Sequence, residues 1–330
     1  MGDVAITVPV LRALVAQHPN IRVTVISRTF FKPFFDDIPN VDFFNFDAND
    51  RHKGVLGLLQ LYWDLKPLGI DAFADLHNVL RSTFIRKRFA LTGQKTAATD
   101  KGRKEKGELT QLKNKTIAPL QTMVERHTIT FEKLGYPISL SQPYYSPKLP
   151  IETAVTNLTG PKNKKWIGIA PFAQYDSKVY PADLMQEVLG QLAKHSEYQI
   201  FLFGGGHEEI EQLKVLAGTH QNVIVIAGKL KLQQELQLIS NLDLMLSMDS
   251  GNAHIAAMYG VKTITLWGAT HPFAGFAPYN QPLENAIVSD RNQYPFLPTS
   301  IYGNKKVSGY ENVMRTIMPL SVVEKVMNLI

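Results

Sequence analysis

Cysteine is absent from this 330-residue sequence, which excludes disulfide bonds and metal sites built from thiolates. No apolar run comes near the roughly 18 residues that a membrane-spanning helix needs. The N-terminus lacks a basic segment followed by an apolar stretch, so no signal peptide is indicated, and Ile6 stands where a myristoylation signal has Ser or Thr. Together these absences predict a protein of the reducing cytosol.

Hydrophobic residues make up 45% of the chain and charged residues 19%, the proportions of an ordinary globular protein. The length suffices for two α/β domains of about 150 residues each. The net charge of +6 is unevenly distributed, because residues 81–115 contain eleven Lys or Arg against three acidic residues, a local balance of +8. Such a patch suits nucleic acid, an anionic membrane surface or an acidic substrate, and a solvated basic loop is the alternative.

Strands alternate with helices along both halves of the sequence. In the first half, the apolar pattern predicts helices at residues 4–17, 79–91 and 117–134 and strands at residues 21–27, 41–46 and 72–76. In the second half it predicts helices at residues 182–195, 208–216, 232–239, 253–259 and 321–330 and strands at residues 166–170, 198–203, 223–226, 242–247 and 261–266. This alternation indicates parallel βαβ units.

Residues 136–165 interrupt the alternation with five prolines and few periodic apolar residues. The sequence therefore predicts a Rossmann-like domain at residues 1–150, a linker at residues 151–165, and a second Rossmann-like domain at residues 166–330. Two doubly wound α/β domains that face each other would place a ligand crevice at the carboxyl ends of both sheets.

The strongest local signal follows the buried strand predicted at residues 242–247. Asp249 emerges at the carboxyl end of this strand, and Ser250 and Gly251 then open a short helix whose first turn contains His254. A helix N-terminus offers unpaired N–H groups and a partial positive charge, and small residues let a diphosphate approach the backbone closely. The alternative is that Asp249 or Ser250 only caps the helix, which is the commoner role.

Three other segments of the second half place candidate residues after strands. Gly205 and Gly206 permit either ligand contact or only a tight turn, and their pattern is not the G-x-G-x-x-G of a dinucleotide oxidoreductase. Lys178 lies on a polar loop, where a lysine would neutralise a diphosphate leaving group, although an exposed lysine is the default interpretation. Thr270 is either a pocket residue or a turn residue.

Near the N-terminus, Asp3 stands immediately before the predicted first helix. As the N-cap it would be structural, whereas a carboxylate at a domain crevice would accept the proton of a hydroxyl nucleophile. His77 and Arg81 follow the strand at residues 72–76 and would offer further polar groups to the same crevice. A structural histidine and an exposed arginine are the alternatives.

Taken together, these segments resemble glycosyltransferase family 9, the ADP-heptose:lipopolysaccharide heptosyltransferases, along almost the whole chain. The most specific element is the Asp-Ser-Gly-x-x-His sequence of residues 249–254, followed by Gly260 and Val261 and combined with Gly2 and Asp3. The other segments that resemble the family are residues 4–14, 75–82, 125–126, 204–209, 227–229 and 268–272.

The resemblance implies a GT-B fold, with two Rossmann-like domains facing a central cleft, the acceptor on the first domain and an ADP-sugar on the second. It also implies inverting, metal-independent transfer that needs no cofactor beyond the ADP-sugar co-substrate. By the same resemblance, Asp3 is the catalytic base and Lys178 stabilises the departing phosphate. The resemblance further assigns the donor to Gly205, Gly206, Lys229, Asp249, Ser250, Gly251, His254 and Thr270, and the acceptor to His77, Arg81 and Arg126.

The acceptor that the resemblance implies is acidic, such as a Kdo carboxylate or a lipid A phosphate of the lipopolysaccharide core, and heptose is the expected sugar. Such an acceptor would give the basic segment of residues 101–115 a role and predicts peripheral contact with the inner face of the inner membrane. Nucleic acid is not an expected partner, because the basic segment has no interleaved aromatic residues and no recognised module.

The sequence departs from the family pattern at two places. Residues 173–176 replace the small hydroxyl residues that usually precede the Lys178 position, which leaves the phosphate contacts of that loop open. The family's first strand precedes the Gly-Asp motif, whereas this sequence starts inside the motif. Because that strand is central in a doubly wound sheet, its absence would leave buried backbone groups unpaired, at roughly 1–3 kcal/mol each. The hypothesis is therefore a natural start at least about ten residues upstream.

Two alternative functions on the same architecture stay open. A sugar-nucleotide 2-epimerase would need additional acid and base carboxylates around the donor sugar, and the sequence offers no identifiable set. A degenerate family member would bind the donor or a membrane-associated partner without transferring the sugar.

Overall fold

The computed structural model describes residues 1–330, and the chain divides into two compact units. The first unit contains Met1, residues 3–103 and residues 121–145. The second unit contains Gly2, residues 104–120 and residues 146–330. The basic segment is thus divided, because residues 104–120 group with the second unit.

Nine helices and strands precede residue 146. They are α1 (Gly2–Gln17), β1 (Val23–Ser27), β2 (Val41–Asn45), α2 (Gly54–Leu65), β3 (Ala72–Asp75), α3 (Leu80–Leu91), β4 (Lys95–Ala98), α4 (Arg103–Thr110) and α5 (Met123–Glu132). Short 3-10 turns at Thr29–Phe34 and Lys66–Leu68 follow β1 and α2.

The rest of the chain continues the alternation of helix and strand. Its elements are α6 (Thr153–Thr159), β5 (Lys165–Ala170), α7 (Ala182–Leu192), β6 (Tyr198–Leu202), α8 (His207–Ala217), β7 (Val223–Val225), α9 (Leu232–Ser240), β8 (Leu244–Met248), α10 (Gly251–Met258), β9 (Lys262–Trp267), β10 (Ala286–Val288) and α11 (Pro319–Leu329). Most of these bounds lie within two residues of those predicted from the apolar pattern.

The second unit is built on one six-stranded parallel sheet in the order β10-β9-β8-β5-β6-β7. Every residue of β8 is buried, and so is every residue of β5 and β9 after the first, because helices cover both faces of the central strands. The order reverses between β5 and β8, which is where doubly wound sheets open a crevice at the carboxyl ends of the strands.

The four strands of the first unit form two separate parallel sheets of two strands, β1 with β2 and β3 with β4. One apolar cluster from α2 and α3 packs against both sheets, since it contacts Ile26 of β1 and Phe73 of β3. No strand pairs with β1 and β3 to join the two sheets.

Several local predictions differ from the structure. Helix α1 begins at Gly2 with Met1 as the N-cap, so Asp3 lies in the first turn and the N-cap interpretation of Asp3 is wrong. Residues 151–165, predicted as a linker, contain α6, whose Val155 is fully buried. The elements α2, β4, α4 and β10 were not predicted.

Candidate functional site

The N-terminus of α10 has no side-chain cap. Ser250 occupies the N-cap position with an extended backbone, but its hydroxyl makes no hydrogen bond to the first-turn N–H groups. It instead contacts the Ser247 hydroxyl, with 3.0 Å between the two oxygens. Ser250 is thus the N-cap residue, as the structural alternative had it, but its side chain does not cap the helix. The N–H groups of the first turn follow the buried strand β8 and have no side-chain acceptor, which is an arrangement suited to phosphate.

The Asp249 carboxylate is directed to two other side chains. Its Oδ2 atom accepts hydrogen bonds from Lys178 Nζ and from Thr270 Oγ1, both at 2.9 Å. The Lys178 and Asp249 side chains are only 13% and 8% exposed, so the ion pair is largely removed from water. Asp249 is therefore not the helix cap, and its Oδ2 atom holds Lys178 in place, while its role with the donor stays a prediction.

These three residues come from the carboxyl ends of three adjacent strands. Lys178 lies in the loop after β5, Asp249 follows β8 and Thr270 follows β9. Because parallel neighbours end at the same edge of a sheet, the topology brings together residues that are far apart in the sequence. The sequence-based grouping of Lys178 with Asp249 and Thr270 is thereby found in the structure.

Gly303, which is not among the predicted site residues, supports the side chain of Lys178. Gly303 has a backbone φ of +85°, and a Cβ atom built on it would lie 2.5 Å from Lys178 Cδ and 2.7 Å from Cγ. The Gly303 carbonyl also accepts a hydrogen bond of 2.7 Å from the Ser177 hydroxyl. The stem of Lys178 therefore rests against bare backbone, a contact that no sequence pattern indicated.

The other predicted donor residues lie around the same sheet edge with different local roles. Gly251 is the first residue of α10, and His254 is a buried residue of the same helix. Gly206 is the N-cap of α8 with φ of +83°, which favours glycine for conformational reasons. The Gly205 N–H donates to Glu209 Oε2 at 2.7 Å, and Lys229 is exposed.

In the first unit, Asp3 is exposed and interacts electrostatically with His77 and Lys101. Desolvation lowers the pKa of His77, and the negative charge of Asp3 partly opposes this shift. Desolvation likewise lowers the pKa of Lys101, again against the charge of Asp3. Lys101 was predicted only as part of the basic segment, yet the structure groups it with Asp3 and His77.

The loop that contains His77 is fixed by a buried carboxylate. Asp75 is 2% exposed, and its Oδ1 atom accepts a hydrogen bond of 2.6 Å from the Asn78 N–H. Asn78 adopts φ of +42° and donates from its amide to the Thr99 carbonyl at 2.9 Å. Arg81 is exposed, with its guanidinium 5.7 Å from the centre of the Phe46 ring.

Two predicted basic contacts are engaged with backbone carbonyls. Arg126 is 4% exposed and donates to the carbonyls of Gln121 and Asp100 at 3.1 and 3.3 Å, so its role with an acceptor stays a prediction. Lys115 donates from its amine to the carbonyls of Phe296 and Pro298. Desolvation lowers the pKa of Lys115 to about 8. This part of the basic segment therefore has a structural role within the second unit.

Two further properties of the chain concern metals and membranes. No three His, Asp or Glu side chains are grouped as a metal-ion site requires. Among the helices, none combines the length and the apolar character needed to cross a bilayer.

Comparison with known proteins gives consistent results at the level of family and fold. The model of glycosyltransferase family 9 (heptosyltransferase) matches residues 59–304. The lipopolysaccharide core heptosyltransferase OpsX of Haemophilus influenzae is 26% identical over 296 residues, which cover 87% of this chain and 81% of OpsX.

Among solved structures, a family 9 glycosyl transferase of Veillonella parvula has a TM-score of 0.75 at 19% identity, covering 99% of this chain and 94% of that chain. The E. coli heptosyltransferase WaaC with ADP-2-deoxy-2-fluoro heptose has a TM-score of 0.68 at 20% identity, covering 99% and 96%. The predicted GT-B fold is therefore confirmed.

Proposed function

The chain belongs to glycosyltransferase family 9, the heptosyltransferases, and we propose that it transfers a heptose from an ADP-linked donor to an acidic acceptor of the lipopolysaccharide core. The relative OpsX is named as a lipopolysaccharide core heptosyltransferase, and WaaC was solved with an ADP-heptose analogue. These names support the proposed substrate class, and the side chains described above support the proposed chemistry.

The main observation in support is the uncapped N-terminus of α10 next to the buried Lys178–Asp249 pair. The helix N-terminus attracts negative charge and offers N–H donors to phosphate oxygens. A lysine ammonium has three donors, and the pair with Asp249 uses one of them. The second unit therefore binds the diphosphate, with Asp249 and Thr270 positioning Lys178 for it.

The acceptor half of the reaction is assigned to Asp3 in the first unit. Its carboxylate accepts the proton of the acceptor hydroxyl while the hydroxyl oxygen forms a bond to the anomeric carbon of the heptose. The bond between that carbon and the phosphate oxygen breaks, and ADP leaves with the electron pair. Attack on the face opposite the leaving group inverts the anomeric configuration.

The charge that develops on ADP is stabilised by Lys178 and by the α10 N-terminus, so the proposal needs no metal ion. Transfer in excess EDTA at an unchanged rate would agree with this scheme. A rate that falls with EDTA and returns with a divalent cation would contradict it.

The catalytic part of the proposal is tested by Asp3→Asn. Product formation is followed by mass spectrometry with ADP-heptose and a purified lipopolysaccharide core acceptor. We expect the variant to lose about 10²–10⁴-fold in kcat, the usual contribution of a general base. Asp71→Asn is the matched control, because Asp71 is an exposed carboxylate of the same unit at the amino end of β3. Equal rates for both variants would remove Asp3 from its assigned role.

The donor class is tested separately by a thermal-shift panel of ADP-, UDP- and GDP-sugars. Selective stabilisation by ADP-heptose is expected, because a ligand that binds only the folded state raises its stability. Conversion of ADP-heptose without any acceptor would instead indicate an epimerase. We also propose that the enzyme works at the surface of a membrane, where a lipid-linked acceptor is available.

A further inference from the structure

Large apolar side chains are exposed after three successive strands of the first unit. Phe30 follows β1 and is 58% exposed, Leu56 follows β2 and is 80% exposed, and Leu80 follows β3 and is 92% exposed. Val55, next to Leu56, is 68% exposed. The segments that follow β1, β2 and β3 thus each expose a large apolar side chain, in the 3-10 turn Thr29–Phe34, in the first turn of α2 and at the first residue of α3.

Three contacts place these side chains at the same edge of the unit. The ring of His52, just before the first turn of α2 with Val55 and Leu56, stacks on the ring of Phe46 with 5.7 Å between the centroids. The Thr29 N–H, next to Phe30, donates to the Asn45 side chain at the carboxyl end of β2, at 3.1 Å. The Arg81 guanidinium, next to Leu80, lies 5.7 Å from the ring of Phe46, which directly follows β2. The segments after β1 and β3 thus both contact the carboxyl end of β2.

Three exposed cations accompany these apolar side chains in the sequence. Arg28, Lys53 and Arg81 are exposed and each is adjacent to or within three residues of one of the apolar side chains. None of the three forms an ion pair with a carboxylate, and Arg81 only lies over an aromatic ring. The acidic residues nearest to these cations in the sequence are Asp36 for Arg28, Asp50 for Lys53 and Asp75 for Arg81. Asp36 pairs with Lys32, and Asp75 is buried and accepts from the Asn78 N–H.

We propose that this edge, formed by Phe30, Val55, Leu56 and Leu80 with Arg28, Lys53 and Arg81, docks on the surface of an anionic lipid bilayer. Separate apolar side chains that alternate with cations match the boundary between acyl chains and anionic headgroups. A protein partner would favour a contiguous apolar centre with the charges at its rim. The apolar side chains enter the outer part of the acyl region, and the cations bind the headgroups.

The inference deepens the proposed function and rests on it for its biological purpose. His77 lies in the loop between β3 and α3, at the same edge as Leu80. Docking through this edge would bring the predicted acceptor residues of the first unit to the surface where a lipid-linked acceptor is anchored.

The test is flotation of the full chain with lipid vesicles, in the absence of donor and acceptor. Vesicles of phosphatidylcholine alone are compared with vesicles that contain about 30 mol% phosphatidylglycerol. We expect binding to the anionic vesicles to be at least about tenfold stronger and to weaken as salt is raised. Wild-type protein that floats with neither vesicle would overturn the proposal.

The matched variants are Leu56→Glu/Leu80→Glu in the proposed surface and Val215→Glu/Leu320→Glu in the second unit, where the two residues are 71% and 58% exposed. The first pair should reduce flotation by about tenfold or more, and the second pair should leave it unchanged. Circular dichroism confirms that both variants fold. Equal flotation of the two variants would contradict the proposed surface.

A second measurement separates the bilayer from a protein occupant. If sedimentation showed a wild-type dimer that Leu56→Glu/Leu80→Glu converts to a monomer, the edge would be an interface between copies, and the proposal would be overturned. Arg28→Glu/Lys53→Glu should lose anionic selectivity while remaining folded. Flotation does not depend on sugar transfer, so an enzyme that floats but fails to transfer heptose would refute the proposed function alone.

Discussion

The contact between Gly303 and Lys178 predicts that one added methyl group weakens nucleotide binding. In Gly303→Ala, the new Cβ atom would lie 2.5 Å from Lys178 Cδ, whereas carbon atoms in contact lie about 3.5–4.0 Å apart. The lysine stem must therefore move by about 1 Å, since the contact atoms belong to the middle of the side chain. A shift of that size lengthens the 2.9 Å contact with Asp249 beyond hydrogen-bond range.

The magnitude follows from the hydrogen bonds that Lys178 loses. A hydrogen bond to a charged group contributes about 1.5–3 kcal/mol, so displacement of the amine should weaken ADP binding by about tenfold to a hundredfold. Isothermal titration with ADP measures this change directly. Unfolding in urea, followed through the buried Trp166 and Trp267, measures how much stability the second unit loses at the same time.

Gly309→Ala is the matched control for this experiment. Gly309 has φ of +81°, close to the +85° of Gly303, but a Cβ atom built on it meets nothing within 4 Å. Both variants therefore have the same backbone strain, about 1 kcal/mol, and only Gly303→Ala displaces the lysine. If the two variants bound ADP equally well, Lys178 would not depend on Gly303, or would not contact the diphosphate.

Three further predictions concern stability. Lys178→Met should destabilise the second unit by about 3–5 kcal/mol in urea, because it leaves the Asp249 carboxylate buried without its cation. The control Lys214→Met, at an exposed ion pair, should cost less than about 1 kcal/mol. Equal losses of stability would mean that the Lys178–Asp249 pair is not desolvated. Burial raises the pKa of Glu235 from 4.5 to about 7, so the folded state retains a proton that the unfolded chain has lost, and stability falls as pH rises from 4.5 towards 7. Glu235→Gln should therefore stabilise the protein by about 1–3 kcal/mol at about pH 8 and by nothing at about pH 4, and a gain that is the same at both pH values would contradict this assignment. Lys115→Met removes two hydrogen bonds to backbone carbonyls and should increase amide exchange in residues 111–120, and unchanged exchange would show that these bonds do not order the segment.

The apolar pattern predicted the second unit well because its central strands are buried on both faces. Strands β5 and β8 are short, mainly apolar runs, and β9 alternates threonine with isoleucine and leucine, so their positions could be seen without knowledge of their partners. The first unit was harder to predict. Helix α4 has Gly107 at its centre and mostly charged residues, and β4 contains only four residues, two of them alanines.

Helix α2 was missed for a different reason. It starts at one glycine, Gly54, and contains another, Gly57, both of which weaken a helical prediction. Gly57 is required by packing, because a Cβ atom there would lie 2.3 Å from the backbone of His52. The need for a glycine at position 57 comes from a tertiary contact, so it does not show in the apolar periodicity of the sequence.

The candidate site was predicted as a set of residues but not as a set of contacts. Lys178, Asp249 and Thr270 were each placed at a strand end, and parallel topology was enough to group them. Their hydrogen bonds were not predictable, because the pairing of the Asp249 carboxylate with Lys178 depends on how two loops approach each other in space. The role of Gly303 depends on the approach of a distant loop to that lysine.

The division of the first unit into two small sheets has a consequence for heating experiments. All four of its strands are edge strands, whereas four of the six strands in the second unit have a neighbour on each side. An edge strand is hydrogen-bonded on one side only, so less free energy is needed to open it locally. The first unit should therefore melt at a lower temperature than the second. A nucleotide bound to the second unit would then delay only the later of two transitions, and a single melting temperature would underestimate its affinity.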